Sequence, residues 1–320
     1  MQLQQLRYFV AVAETRHFTH AAQTLRVAQP SLSKQIHALE RELGTPLFSR
    51  ARGNVRLTPA GEMLLPLARR ILADADNAQR EVQELAGLGR GRLRLGATPS
   101  VSTVLLPDAL RRFRDAYPGL ELRVEERGSR DLVGLMAHGE LDLALIIVPL
   151  HAHDPALAIT PILREPLVVA APADGSAVRA TSLRVRDLAR YPLVMFRDGY
   201  DLRDATLAAC RRVRIEPHFV IEGGEMDAVL RFVEAGLGVA VVPSMVLDGR
   251  PGLRRITLTA PGLTRTIALA HRRDVIPPRA ARAFRALLME QLTDAAHSGT
   301  LPTGVEVDRT RTKGPAKASE

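Results

Sequence analysis

Leu64, Ala68, Ile71, Ala75, Ala78, Val82 and Leu85 recur at steps of four and three, directly after Thr58-Pro59. A threonine cap with proline at the first helical position starts a helix, and this spacing continues it as one apolar seam. Pro66 lies inside the pattern and is expected to bend the first turns. The alanines let another helix approach closely. The seam therefore asks for a partner, either a second copy of this helix or the chain's own preceding domain. Gly87, Gly89 and Gly91 follow as a hinge. A chain of 320 residues is long for one core, and the seam divides it into a short N-terminal and a long C-terminal segment.

In the short segment Leu3, Leu6, Phe9, Val10 and Ala13 follow helical spacing. Thr19 is the expected cap of a brief second helix with a small inner face of Ala21, Ala22 and Leu25. After a tight connection over Arg26 to Ala28, Pro30 fits the first turn of a third helix, and Leu32, Ile36, Leu39 and Leu43 form its inner stripe before Gly44. That leaves an outer face of Pro30, Lys34, His37 and Arg41, flanked by Gln29, Ser31 and Ser33. Its first turn offers free N–H groups and a positive dipole end to a phosphate. Gln29 can pair with adenine and Lys34 with guanine, while the serines suit phosphate or a flexible base contact. Arg50, Arg52, Gly53 and Asn54 form a basic turn between short extended arms ending at Val55 and Leu57, which reads as a wing against the DNA backbone or minor groove. The other reading these residues allow is a basic three-helix domain that binds protein.

Charge supports the first reading. The chain carries +9 overall, and residues 1–58 hold eight Lys or Arg against three Glu, a surplus of five in under a fifth of the length. The N-terminus shows no signal-peptide core, and no apolar run reaches the roughly 18 residues of a membrane span. One cysteine, Cys210, excludes an internal disulfide framework and fits a reducing cytoplasm, the expected location. No membrane partner is expected.

Phe9-Val10-Ala11-Val12-Ala13-Glu14, Phe18-Thr19-His20-Ala21-Ala22, Ala28-Gln29-Pro30-Ser31-Leu32-Ser33-Lys34-Gln35-Ile36 and the run from Leu39 through Leu47-Phe48 to Arg50 resemble the head of LysR-type transcription regulators. Leu57-Thr58-Pro59-Ala60-Gly61 closes the pattern, which spans essentially residues 3–61. Family members commonly carry Arg where this chain has Lys34, which reduces a bidentate contact to a point charge. The resemblance implies an N-terminal all-α winged helix-turn-helix (1–58) and an antiparallel coiled coil of linker helices (59–90) that dimerises the heads. It further implies pairing of dimers into a tetramer, double-stranded promoter DNA as partner, and room for RNA polymerase as another.

From Arg92 onward, strand-like and helix-like stretches alternate, as in an α/β fold with largely parallel sheets. Strands are expected at Leu93 to Leu95, Leu120 to Val124, Leu143 to Val148, Val168 to Ala171, Leu193 to Phe196, Phe219 to Ile221, Val239 to Val242 and Thr266 to Ala270. A helix is expected from about Ser100 to Tyr117, interrupted by Pro107, and a closing one at Arg279 to Leu292. Leu106-Pro107, Tyr117-Pro118, Gly139-Glu140-Leu141-Asp142 and Val233-x-Ala235-Gly236-Leu237-Gly238-Val239 resemble the LysR-type effector domain, itself similar to periplasmic solute-binding proteins. The resemblance implies a two-lobed effector domain over 91–295, with lobe I at 91–160 and 267–295 and lobe II at 161–266. A small-molecule effector would sit between the lobes, where strand ends meet helix starts. Its expected contacts are Thr98 and Ser100 at a strand end, Ser129 after Gly128, and Phe196-Arg197 on the opposite lobe. Each serine could equally be a plain helix cap. Ile146-Ile147 is wholly apolar where some aromatic-acid-sensing relatives carry a charge, which leaves an anionic effector open.

No catalytic constellation, cofactor motif or metal set emerges. His151-Ala152-His153-Asp154 reads as a surface loop without further ligands at metal spacing. Cys210 lacks the second cysteine that peroxide-sensing LysR-type proteins use to resolve an oxidised thiol, so core packing is expected of it. Residues 296–320 read as a disordered tail. A regulator is therefore expected, ahead of a free solute carrier, which the basic head argues against, and of an enzyme, for which no reactive group is in place.

Overall fold

A computed structural model describes residues 1–51, 54–85, 91–149 and 155–308; at 50, 51, 54, 80, 81 and 83–85 it describes the backbone. The chain divides into a helical unit, Met1–Gly91 together with Gly134–Leu141, and an α/β unit that takes the rest from Arg92.

In the first unit, the apolar stripes of α1 (Leu3–Thr15), α2 (Phe18–Thr24) and α3 (Gln29–Leu43) meet in one core of Leu6, Phe9, Val12, Ala21, Ala22, Leu32, Ile36 and Leu39. The cap of α2 is His17 in place of Thr19, because the His17 ring nitrogen Nδ1 accepts the Thr19 N–H at 3.2 Å. Pro30 sits in the first turn of α3, and Gly44 ends it in a left-handed conformation, φ +70°, that favours glycine. Strands β1 (Phe48–Ala51) and β2 (Asn54–Leu57) then form an antiparallel hairpin with Phe48 opposite Leu57. Glu40 anchors it, since Oε1 accepts the Leu47 and Phe48 N–H groups at 2.8 and 3.3 Å. Phe48 packs on Phe9 and edge-on against Phe18.

Helix α4 (Pro59–Leu85) runs through Pro66 without interruption. Thr58 caps it by accepting the Gly61 N–H at 3.1 Å. Gly61 is required there, because a Cβ would lie 2.3 Å from the Leu47 carbonyl oxygen. The seam divides its allegiance. Leu64 and Ala68 pack on the core of their own unit, where Arg69–Glu14 and Arg7–Asp76 ion pairs tie α4 to α1. Ile71 and Val82 of the seam are instead exposed, and with Met63 and Leu67 beside it they leave an open apolar stripe. The Leu85 side chain, Gly87 and Gly89 lie outside what is described.

The second unit begins with β3 (Arg92–Ala97), α5 (Pro99–Val104), α6 (Leu106–Ala116), β4 (Glu121–Glu126), α7 (Ser129–Ala137) and β5 (Leu143–Val148). The expected single helix after Ser100 is thus two, divided at Leu105 ahead of Pro107. Strands β3, β4 and β5 are parallel, with β3 central. Asp142 fastens β3 to the start of β5, accepting from the Arg94 guanidinium and backbone N–H.

Next comes β6 (Leu157–Pro172), 16 residues long, where sequence indicated only Val168 to Ala171. Pro161 and Pro166 conceal its first half, since proline normally argues against a central strand. Then follow β7 (Ser182–Leu183), a 3-10 turn at Val185–Arg190, β8 (Leu193–Met195), α8 (Asp201–Arg212), β9 (Phe219–Glu222), α9 (Met226–Glu234), β10 (Ala240–Pro243), a 3-10 turn at Ser244–Leu247 and β11 (Leu253–Leu258). β12 (Thr264–Arg272) and α10 (Arg279–Ser298) complete the main body.

The first-lobe sheet has the order β4-β3-β5-β12-β6, with β12 antiparallel to both β5 and β6. From Leu167 onward β6 pairs instead with β10 and β11, so one continuous strand enters both lobes. The chain crosses near Glu165–Leu167 and returns near Leu263–Arg265, where the Leu167 N–H reaches the Leu263 carbonyl at 2.8 Å. β8 and β9 form a separate parallel pair in the second lobe.

The expected disorder from 296 onward does not hold for residues 296–308. α10 continues to Ser298, and β13 (Glu306–Val307) adds to β6 opposite Arg164 and Leu163. Ser244 Oγ donates to the Thr303 carbonyl and Asp248 Oδ2 accepts the Thr303 N–H, so this segment also grips the second lobe. Its buried Val305 supplies the apolar anchor that a disordered tail would lack. Residues 309–320 lie outside the described range.

Candidate nucleic-acid interface and effector site

The stripe that buries Leu32, Ile36 and Leu39 forces the opposite face of α3 outward. Pro30, Ser31, Lys34 and His37 are exposed there, with Gln29 and Ser33 half-buried beside them. Lys34 makes no ion pair among the described residues, whereas His37 Nδ1 lies 3.1 Å from Glu40 Oε2. His37 is therefore partly committed to the carboxylate that holds the hairpin. The Arg50 side chain and Arg52 lie outside what is described. One further cation stands on the hairpin: Arg56 is exposed on β2 between half-buried Val55 and Leu57. The two-residue alternation of that strand was the signal that could have found it.

In the second unit, Ser129 beyond β4 meets Asp201 at the start of α8, and Ser100 beyond β3 meets Arg265 on β12. Four of the five expected effector contacts already have partners. Ser100 is buried and its Oγ accepts from Arg265 Nη2 at 2.8 Å. Arg265 in turn binds Glu165, with Nε 2.6 Å from Oε1. Ser129 Oγ donates to Asp201 Oδ2 at 2.7 Å and accepts the Ile147 N–H at 2.9 Å, so it joins the first lobe to the start of α8. The Phe196 ring stacks on Tyr200 at 4.6 Å, and Arg197 pairs with Glu225 at 2.8 Å. Thr98 differs: its Oγ1 is buried with no hydrogen bond among the described residues.

Sequence reading missed Glu165, Tyr200, Asp201 and Arg265. Glu165 and Arg265 are a hundred positions apart and meet only through the β6–β12 register, so no local spacing marks them. Burial pushes the Glu165 carboxyl above the usual range, although Arg265 opposes this. Burial likewise raises the Tyr200 hydroxyl, with Arg265 opposing and Glu225, Asp201 and Glu126 adding to the rise. Burial also raises the Cys210 thiol, which packs inside the core and so lacks the exposed thiolate of a reactive cysteine. Among the described residues no His, Cys, Asp or Glu cluster could hold a metal, and the expected loop at His151 to Asp154 lies outside them.

Residues 3–62 match the family described as bacterial regulatory helix-turn-helix protein, lysR family, and residues 86–293 match the LysR substrate binding domain. The chain belongs to the LysR family of transcription regulators. This LysR-family chain is 36% identical to the HTH-type transcriptional regulator IlvR of Caulobacter vibrioides, over 87% of its own length and 94% of the relative's. A full-length OxyR variant from Pseudomonas aeruginosa superposes with a TM-score of 0.68 at 30% identity, covering 90% of this chain and 93% of that one. Full-length CbnR complexed with its target DNA gives a TM-score of 0.66 at 27% identity, covering 92% and 100%. The LysR regulator is a DNA-binding transcription regulator with an effector-binding domain, not an enzyme. Among the described residues no helix is long and apolar enough to cross a membrane.

Proposed function

We propose that this cytoplasmic LysR-family regulator reads promoter DNA through the α3 face of Gln29, Pro30, Ser31, Ser33, Lys34 and His37, supported on the wing by Arg50, Arg52 and Arg56. The observation that carries it is Lys34, exposed and without an ion pair among the described residues, on a face opposite the buried Leu32–Ile36–Leu39 stripe. A helix presenting that face fits the major groove, where Gln29 discriminates adenine and the cations bind phosphate. The exposed Met63–Leu67–Ile71–Val82 stripe supports pairing of two copies through α4, which sets the spacing of two heads on DNA. CbnR is itself solved with target DNA at matching length. The interlobe polar groups support an effector that changes lobe arrangement, and it can shift DNA binding only by its differential affinity for the two arrangements.

Fluorescence anisotropy on the intergenic DNA beside the protein's own gene tests this reading. Gln29→Ala should cost about 1–3 kcal/mol on the specific site and little on random DNA. Arg56→Ala should weaken both equally and lower the salt slope by about one. Equal losses on both DNAs for Gln29→Ala would refute base reading by that residue.

A further inference from the structure

Between α8 and the two segments where the chain crosses from lobe to lobe lies a cavity of about 530 Å³. Pockets that hold small ligands run from roughly 300 to 1,000 Å³. Its apolar lining is Leu167 and Leu263, the buried residues joined by a backbone hydrogen bond at the crossing, with Ala205 and Ala208 of α8. Ala205, Ala208 and Arg212 follow steps of three and four, so they share one face of the helix, and the two small side chains leave the space open. Arg211 and Arg212 line the cavity as well. Both are exposed, and neither makes an ion pair or side-chain hydrogen bond among the described residues. The helix end does not use them either, because the carbonyls of Ala209, Cys210 and Arg211 accept the N–H groups of Val213, Ile215 and Arg214. No carboxylate among the described residues lines the cavity. Two adjacent guanidinium groups repel each other, and an anion between them removes that cost while using their hydrogen-bonding forks.

We propose that this cavity receives a small organic anion, with a carboxylate or phosphate head on Arg211 and Arg212 and a short apolar body against Leu167 and Leu263. This rests on the effector reading given above, and it gives the effector a charge and a place at the lobe crossing. The same geometry couples binding to lobe arrangement. Asp201, one turn before Ala205 on the same helix face, is held by Ser129 of the first lobe. Thr264 of the lining precedes Arg265, which holds Ser100. A ligand that sets the spacing between α8 and the crossing acts on both contacts, and it shifts the lobes by its difference in affinity for their arrangements.

Calorimetry on the full-length protein at neutral pH tests this with hexanoate, 3-phenylpropionate and hexyl phosphate, against hexanol, hexylamine and inorganic phosphate. At least one organic anion should bind, more weakly as salt rises, while the alcohol and the amine should not. Inorganic phosphate lacks the apolar body and should bind at least about tenfold more weakly. Arg211→Gln and Arg212→Gln should each weaken the organic anion about tenfold, the worth of one charge-assisted hydrogen bond. Ala208→Leu, at an exposed position, should fill the space and abolish binding while the melting curve stays in place. Arg112→Gln, an exposed arginine on α6, should change nothing. No binding by any organic anion, equal binding of hexanol, or anion binding indifferent to Arg211 and Arg212 would each overturn the proposal. Thr98→Val separates this failure from that of the broader reading. An anion that binds the Arg211→Gln/Arg212→Gln protein undiminished but not the Thr98→Val protein sits at the strand ends, which sinks this inference and leaves the effector reading standing. Anions that bind through Arg211 and Arg212 yet never alter promoter affinity would instead sink the effector reading.

Discussion

Glu165 and Arg265 face each other across β6 and β12, where the chain passes between the lobes, with Nε 2.6 Å from Oε1. Both side chains are buried, so each depends on the other for its charge. Arg265→Met alone should destabilise the effector domain by about 3–5 kcal/mol, because Glu165 is left buried and unpaired. The combined Glu165→Leu/Arg265→Met variant should lose far less. The raised Glu165 pKa means that the fold is favoured most while this carboxyl is protonated. That contribution fades as pH climbs from the ordinary glutamate range through the raised value. Urea melts across pH should show the combined variant without this decline; an unchanged slope would assign it to other groups.

The exposed half of the α4 seam concerns assembly. Ile71 is 37% exposed, while Ala68 one turn earlier is buried in its own head. Ile71→Asp should therefore spare the head fold and break association, since an unpaired charge in an apolar interface is costly. Sedimentation should then give the 34.9 kDa protomer in place of a larger species, with weaker operator binding. An unchanged oligomer would move the interface elsewhere.

Gly61 links the wing to the linker helix. Adding one methyl places it 2.3 Å from the Leu47 carbonyl oxygen and 2.8 Å from Leu57. Backbone cannot yield as a flexible side chain can. Gly61→Ala should cost about 1–3 kcal/mol in head stability, although alanine is the better helix former. A stabilised variant in thermal melts would show that the wing moves aside freely.

The segment 299–308 should loosen in acid. Burial opposes ionisation of Asp248, but the Thr303 N–H and Arg255 outweigh it and hold the carboxyl below the usual aspartate range. A depressed acid stabilises above its unfolded pKa and loses that effect as pH falls through the folded value. Hydrogen exchange at Thr303 and Val305 to Asp308 should therefore speed up relative to intrinsic rates below about pH 4. Asp248→Asn should produce the same loosening at neutral pH. Protection unaltered by either change would leave β13 pairing as the whole attachment.

Local rules carried the head a long way. The apolar steps of α1 and α3, Pro30 and Gly44 as start and stop, and Thr58-Pro59 ahead of α4 each act within one or two turns, so sequence alone determined those elements and the outward face of α3. Short-range logic also located most strands and the serines at the helix starts. It went astray where a distant group intervened: His17 took the cap expected of Thr19, and β6 extended through Pro161 and Pro166 because its neighbours supply the pairing. Sequence could place Ser100 and Ser129 at strand ends, but not their engagement by Arg265 and Asp201, because Arg265 lies 165 positions along the chain and Asp201 arrives from the other lobe. The division of the α4 seam between the head core and an open stripe, and the meeting of Glu165 with Arg265, likewise belong to tertiary structure. Periodicity records which face of an element is apolar; which surface covers that face, and which charge answers a buried one, depends on strand register across a hundred residues.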